Sequence, residues 1–88
     1  MIKYRVLWDR EALSDLKKLD KIIAKKIVEK IADYLAVDPL NLGKKLTGNL
    51  RGLMRYRFGD YQIIYEVMNN EISVVIVRVS HRKGVYET

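Results

Sequence analysis

Apolar and charged residues alternate at the start of the chain. Within residues 1–8 every even-numbered position is apolar or aromatic, and the odd-numbered positions include Lys3 and Arg5. A period of two predicts a short strand with one buried face. Asp9 follows as a predicted helix N-cap, because its carboxylate can accept hydrogen bonds from free backbone N–H groups. Glu11 suits the positive end of the helix dipole.

The pattern then changes to helical spacing, with two apolar stripes on either side of Asp20. The stripes consist of Leu13, Leu16 and Leu19, followed by Ile23, Ile27, Ile31 and Tyr34 or Leu35. Asp20 can cap the second helix, so the pattern predicts an amphipathic helical hairpin. The hairpin ends before Asp38, because Pro39 disfavours helix in the residue before it. Residues 38–52 contain that proline and three glycines, and they are predicted to form a loop.

Alternation returns after this loop and predicts three strands joined by short turns. The first strand begins at Leu53 and leads into Gly59-Asp60, a two-residue turn with glycine first, as in type II′. The second strand covers 61–67, and Asn69-Asn70 is predicted to form the next turn because Asn tolerates positive φ. The last strand, 72–79, is apolar on both faces, which favours a central or covered position.

These elements predict an α+β fold in a single domain, residues 1–88. An N-terminal strand and a helical hairpin precede a three-stranded antiparallel meander, and the helices pack on one face of the sheet. A domain of this size buries roughly two thirds of the surface of its unfolded chain. It can fold alone, with little stability to spare.

The predicted turn also sets the register of the meander. With two residues in the turn, Phe58 lies opposite Tyr61, and Arg57 lies opposite Gln62. Successive side chains of a strand alternate between faces. Arg55, Arg57, Gln62 and Glu66 therefore share the face away from the helices. The face under the helices carries Met54, Tyr56, Phe58, Tyr61, Ile63, Tyr65 and Val67.

Composition narrows the chemistry. The chain has no cysteine and one histidine, so disulfides and cysteine-based metal sites are excluded, and we expect neither a metal site nor a cofactor. Charges interrupt the N-terminal apolar run, and no apolar stretch is long enough to span a bilayer, so we expect a cytoplasmic protein without a membrane partner. The net charge of +6 favours nucleic acid or an acidic protein as a partner, although a basic protein with neither role remains open.

A cluster of ionisable residues follows the last predicted strand: His81, Arg82, Lys83 and, slightly later, Tyr86. Each has a structural alternative: a histidine near a sheet end, a surface ion pair, a solvated lysine and an aromatic anchor. Together with the two strand arginines they suit RNA cleavage on one concave face. Arginine binds phosphate, and histidine and tyrosine can transfer protons. The 2′-hydroxyl of RNA is itself the nucleophile, so the reaction requires neither metal nor cofactor.

At this point the chain resembles the RelE/ParE superfamily of toxins over nearly its whole length. The matching segments are 45–48 (KLTG), 55–57 (RYR), 61–67 (YQIIYEV), 81–83 (HRK) and 85–86 (VY). The resemblance implies a RelE-like, microbial ribonuclease-like fold. Members similar to RelE cleave mRNA in the ribosomal A site and so inhibit translation. They are neutralised by a RelB-type antitoxin that wraps around the toxin.

Carried over by motif, the family's functional positions fall on Arg55, Arg57, Gln62, Arg82 and Tyr86. This chain departs from the family pattern in two ways. The first two positions, often lysine in the best-known type, are Arg55 and Arg57 here, and the third, often arginine, is Gln62. Arginine does not lose its proton in proteins, so the two strand arginines can bind phosphate and stabilise the transition state but cannot be general bases.

The general base must then come from Tyr86 or His81. Tyrosine has an ordinary pKa near 10 and histidine one near 6.5, so the tyrosine needs cationic neighbours to act at neutral pH. Gln62 can donate a hydrogen bond but brings no charge. The residues predicted to bind RNA without taking part in the chemistry are Lys44, Lys45, Gln62 and Lys83.

Three functions therefore stay open. The favoured one is the toxin of a type II toxin–antitoxin system, acting on ribosome-bound mRNA. ParE-type members share the fold, poison DNA gyrase and generally lack the basic–tyrosine constellation. A catalytically silent RNA-binding or interaction module is the third, and it gains weight from Gln62.

Overall fold

The computed structural model describes residues 2–81. Five strands and three helices form in the order β1 (Arg5–Trp8), α1 (Arg10–Lys17), α2 (Lys21–Asp33), α3 (Pro39–Leu42), β2 (Lys44–Lys45), β3 (Met54–Phe58), β4 (Tyr61–Met68) and β5 (Ser73–His81) within that range. Short 3-10 turns occupy Leu35–Val37, Gly48–Leu50 and Asn69–Glu71. The α+β fold predicted from the sequence is confirmed.

One mixed sheet organises the molecule, with strand order β1-β5-β4-β3-β2. β1 runs parallel to β5, and the other neighbours are antiparallel. β5 therefore lies between two strands, as its apolar character on both faces predicted. The core between helices and sheet consists of Ala12, Ile27, Ile31, Leu35, Met54, Ile63, Tyr65, Val74, Ile76 and Val79. Within residues 2–81, no helix is long and apolar enough to cross a membrane.

The predicted helix caps are confirmed. The Asp9 carboxylate accepts a hydrogen bond from the Arg10 N–H at 2.7 Å, and the Asp20 carboxylate accepts from the Ile22 N–H at 3.0 Å. Each aspartate satisfies a backbone donor that the helix itself leaves without a partner. These caps fix where α1 and α2 begin, and so which helix faces meet the sheet.

The predicted register of the β3–β4 hairpin is also confirmed. Phe58 lies opposite Tyr61, and Arg57 lies opposite Gln62. Gly59 has φ of 61°, the left-handed conformation that a glycine-first hairpin turn requires. The arginines of β3 consequently face away from the helices.

Two local predictions were wrong. The segment 38–52 is not all loop, because it contains α3 and the two-residue strand β2. Strand β2 is too short to produce a periodic signal. The positive φ of the second turn falls at Ile72 (φ 49°), not at Asn69 or Asn70. The pairing of Met68 with Ser73 sets the length of this turn, so the tertiary register overrides the preference of asparagine for that conformation.

A buried tyrosine attaches α3 and β2 to the sheet. Tyr65 is fully buried, and its hydroxyl donates a hydrogen bond to the Pro39 carbonyl at 2.7 Å. Burial, with smaller contributions from Asp38 and Tyr56, raises the pKa of Tyr65 to about 12, so the hydroxyl stays a donor at neutral pH. A Cβ at Gly43 would overlap Tyr65 Oη and lie 2.8 Å from the Arg55 carbonyl oxygen. Only glycine permits this approach of the chain to β3.

We predict that Gly43→Ala destabilises the protein strongly, and that Tyr65→Phe costs about 1–2 kcal/mol because the hydrogen bond to Pro39 is absent. In the double variant the two costs are less than additive, because the tyrosine oxygen that the new methyl group meets is gone. Urea denaturation of the four proteins measures this coupling. Strict additivity would contradict the proposed contact.

A buried carboxylate joins α1 to β5. Asp15 accepts hydrogen bonds from Arg78 Nε at 2.9 Å, Arg78 Nη2 at 3.1 Å and the Val79 N–H at 2.9 Å. Burial acts to raise the pKa of Asp15, but the bonds from Arg78 and Val79 and the nearby positive charges outweigh it. The net pKa lies below the ordinary value of 3.8.

A carboxyl group with a lowered pKa stabilises the folded state above its unfolded pKa, and this contribution disappears as the pH falls through the folded value. We therefore predict that the free energy of unfolding falls more steeply below about pH 4 in the wild type than in Asp15→Asn. Denaturation curves at several acidic pH values measure the difference. Asp33→Asn is the control, because the Asp33 carboxylate is exposed and its ion pair with Lys3 is long, at 3.9 Å. An equal effect of both substitutions would contradict the account.

Candidate RNA-binding site

Strand β3 continues past the short strand β2 and leaves a pocket at that edge of the sheet. Lys44 of β2 lies opposite Arg55 of β3, and no further pairing follows between these two strands. The pocket has a volume of about 340 Å³ and is lined by Leu42, Lys44, Arg55, Tyr56 and Arg57. We call it the cationic pocket.

Within residues 2–81, no carboxylate lies within 4.0 Å of the positive charges of the cationic pocket. Among residues 2–81, ion pairs are confined to Lys3 with Asp33 and Arg78 with Asp15. Lys44 and Arg57 are exposed and Arg55 is half-buried. The backbone register holds these cations together, and among residues 2–81 none of them forms an ion pair. Such a cluster of cations is suited to binding a phosphate.

An amide borders the arginines on the same face. Gln62 lies opposite Arg57 on one side and opposite Ser80 on the other, and it is 8% exposed. Its side chain supplies a neutral donor and acceptor beside the arginine. The structure therefore brings Lys44, Arg55, Arg57 and Gln62 to one side of the sheet.

His81 does not lie on that side. It pairs with Tyr61, and the two rings are 5.2 Å apart between centroids at 87°. Since Tyr61 packs against the core, His81 faces the helices, and the expectation of one face for the histidine and the arginines was wrong. The cause is a β-bulge in β5: Ile64 pairs with Arg78 but Tyr65 pairs with Ile76. Because β5 has one extra residue there, each side chain after the bulge points to the opposite face of the sheet from the one that simple alternation predicts.

Lys45 is also separated from the arginines. It lies opposite Met54, a core residue, and therefore on the helix side. There it lines a second pocket of about 280 Å³ that includes Arg51 and several apolar side chains. Arg82, Lys83 and Tyr86 lie outside the described residues, so their predicted roles remain predictions.

Sequence reasoning missed two parts of this region. Tyr56 was assigned to the core, yet it also lines the cationic pocket, and burial together with Tyr34 raises its pKa. Asp15 was not singled out. Its signal was present, because it lies with Ala12 and Leu16 on the apolar side of α1, where a charge requires a partner. Within residues 2–81, no group of three or more metal-ligating side chains comes together.

Comparison with known proteins identifies the family. Residues 6–86 match the model described as the ParE toxin of the type II toxin–antitoxin system parDE. The toxin RelG of Mycobacterium tuberculosis is 36% identical over 83 residues, covering 94% of this chain and 95% of that protein. The toxin RelE of the same organism is 34% identical, covering 94% and 86%.

The fold agrees with these matches. The crystal structure of the toxin–antitoxin complex RelBE2 from Mycobacterium tuberculosis contains a chain with a TM-score of 0.89 and 36% identity, covering 93% of this chain and 94% of that one. A chain of the RelB–RelE complex from Methanococcus jannaschii has a TM-score of 0.69 and 30% identity, covering 92% and 95%. The chain therefore belongs to the RelE/ParE family and is a toxin of a type II toxin–antitoxin system.

Proposed function

We propose that this toxin is a ribosome-dependent endoribonuclease that cleaves mRNA in the ribosomal A site and so inhibits translation. The observation that carries the proposal is the cationic pocket. It gathers Lys44, Arg55 and Arg57 without a carboxylate within 4.0 Å among residues 2–81. Such a pocket fits the phosphodiester backbone of RNA, and an electrostatic contact of this kind is stronger in the dianionic transition state than in the ground state.

The proposed reaction uses the nucleophile of the substrate. The 2′-hydroxyl attacks the adjacent phosphorus as its proton passes to a base, and the 5′-oxygen leaves as it receives a proton. The products are a 2′,3′-cyclic phosphate and a 5′-hydroxyl. Arg55 and Arg57 bind the non-bridging oxygens and cannot take the proton. Gln62 donates a neutral hydrogen bond beside them. No metal ion is required for this chemistry.

The position of His81 bears on the choice of base. Because its ring lies against Tyr61 on the helix side, His81 lies on the opposite face of the sheet from Arg55 and Arg57. We therefore assign the base to Tyr86 and a supporting role to His81. Cationic neighbours lower the pKa of a tyrosine, and Tyr86 would need them to act as a base at neutral pH. We assign to Arg82 the role of a further cation for the developing charge.

The proposed partners follow from charge and family. Several structurally similar toxin chains belong to RelBE toxin–antitoxin complexes. The net charge of +6 fits an acidic segment of a RelB-type antitoxin, which would neutralise the cationic pocket and exclude RNA from it. Ribosome and mRNA are the other partners, which places the activity in the cytoplasm.

A gyrase-directed activity is the second candidate, because the matching family model is described as ParE. The relatives named RelG and RelE and the cationic pocket favour the ribonuclease. A DNA gyrase supercoiling assay separates the two: inhibition of gyrase by the purified toxin, without cleavage of ribosome-bound mRNA, would reverse this assignment.

The experiment is cleavage of a defined mRNA on programmed ribosomes, with both product ends mapped. We predict cleavage in the A-site codon that resists EDTA, as long as the ribosomes stay intact, and leaves a 2′,3′-cyclic phosphate. Arg57→Gln and Arg82→Ala should each reduce the rate by about 100- to 1,000-fold. Arg51→Gln removes one exposed positive charge away from the cationic pocket and should retain the wild-type rate.

Tyr86→Phe keeps the ring and removes the hydroxyl, so it should impair cleavage strongly, with His81→Ala impairing it less. Full activity of both variants would eliminate the proposed proton carriers. A 5′-phosphate on the downstream fragment, or an equal reduction of the rate in Arg57→Gln and Arg51→Gln, would contradict the proposed reaction.

A further inference from the structure

Strand β5 runs beyond the strand that covers its outer edge. β1 ends at Trp8, which lies opposite Ile76, whereas β5 continues to His81. Backbone groups on such an uncovered edge require other partners. Asp15 of α1 provides one, because its carboxylate accepts the hydrogen bond of the Val79 N–H at 2.9 Å. A helix side chain thus takes the place of a neighbouring strand.

The same carboxylate binds the guanidinium of the preceding residue. Asp15 Oδ2 and Oδ1 accept from Arg78 Nε and Nη2 at 2.9 and 3.1 Å. The Asp15 side chain is 9% exposed and that of Arg78 is 52% exposed. A two-bond contact between planar groups fixes orientation as well as distance. With the bond from Val79, the position of β5 relative to α1 is fixed by three hydrogen bonds.

The Asp15 contact lies between the β-bulge and the residues proposed for catalysis. The bulge adds one residue at Val77, where the pairing changes from Ile76 with Tyr65 to Arg78 with Ile64. Arg78 and Val79 come directly after it, and His81 follows two residues later. A bulge changes the direction of a strand. The hydrogen bonds from Arg78 and Val79 to Asp15 therefore fix the position of β5 just beyond the bulge.

We propose that Asp15 is a positioning residue: it holds the bulged end of β5 so that Ser80 stays opposite Gln62, which in turn lies opposite Arg57 of the cationic pocket. This inference rests on the proposed function. Asp15 contacts neither RNA nor the reacting atoms, and it acts through Arg78 and Val79.

Stability alone does not explain why a buried ion pair such as Asp15–Arg78 is present at this position. A buried ion pair often contributes no more than well-packed apolar residues of the same volume, because desolvation of the charges offsets their attraction. Asp15 lies on the apolar side of α1, between Ala12 and Leu16, where an apolar residue would fit the helix pattern. What an apolar residue would not supply is the direction of the strand, which hydrogen bonds to Arg78 and Val79 set.

The test compares Asp15→Asn and Arg78→Gln with Asp33→Asn in the ribosome cleavage assay. Asp33→Asn has the same change of net charge as Asp15→Asn and removes the other ion pair found within residues 2–81. Misplacement by about 1 Å costs up to roughly 100-fold in rate. We expect kcat to fall by about 10- to 100-fold in Asp15→Asn with KM unchanged, a smaller fall in Arg78→Gln, and no change in Asp33→Asn.

A second measurement is independent of activity. In Asp15→Asn, hydrogen exchange at the amides of Val79, Ser80 and His81 should accelerate, and the ring contact between Tyr61 and His81 should weaken in NMR spectra. Asp33→Asn should leave both unchanged. If Asp15→Asn does not fold, Arg78→Gln decides in its place, because it keeps the carboxylate and the bond from Val79.

The outcomes separate the two claims. If the wild-type toxin does not cleave ribosome-bound mRNA, the proposed function is refuted. Hydrogen exchange at residues 79–81 then still tests whether Asp15 fixes the position of the end of β5. A folded Asp15→Asn variant with wild-type kcat, or with unchanged exchange from 79 to 81, overturns the positioning role.

Discussion

The register between β3 and β4 is the constraint on which the site depends. One face of this hairpin contributes Met54, Ile63 and Tyr65 to the core. A slip by one residue would turn every side chain of a strand to the other face. It would bury Arg55 and Arg57 under the helices at a high cost in desolvation. Apolar burial thus selects a register that places Arg55 and Arg57 together on the face away from the helices.

Contacts between residues distant in sequence place Lys44 on the same face. The Tyr65 hydroxyl donates a hydrogen bond to the Pro39 carbonyl, and the absence of a side chain at Gly43 lets the chain approach β3. Lys44 follows directly and lies opposite Arg55. Like charges repel, so this arrangement persists because the backbone on both sides is fixed. A polyanion would relieve this repulsion, which is the physical basis of the proposals that RNA and an acidic antitoxin segment bind at this pocket.

Features that depend on interactions between residues close in sequence were predicted, and features that depend on distant partners were not. Caps at Asp9 and Asp20 and the glycine turn at Gly59 depend on neighbouring residues, and all three were found where expected. The short strand β2 and the bulge at Val77 depend on distant partners, and neither was predicted. The bulge matters most for the site, because it moves His81 to the helix side and leaves the arginine face defined by β2, β3 and β4.

The central claim is that the cationic pocket binds the RNA backbone, and the salt dependence of ribosome or RNA binding tests it most directly. Removing the cation that binds one phosphate lowers the slope of log K against log salt by roughly 0.7 for single-stranded RNA. Arg55→Gln/Arg57→Gln should therefore lower the slope by about 1.4. The control Arg5→Gln/Arg51→Gln has the same net charge and should retain the wild-type slope. Equal slopes for the two double variants would contradict the account, since the arginines of β3 would then act only through the overall charge.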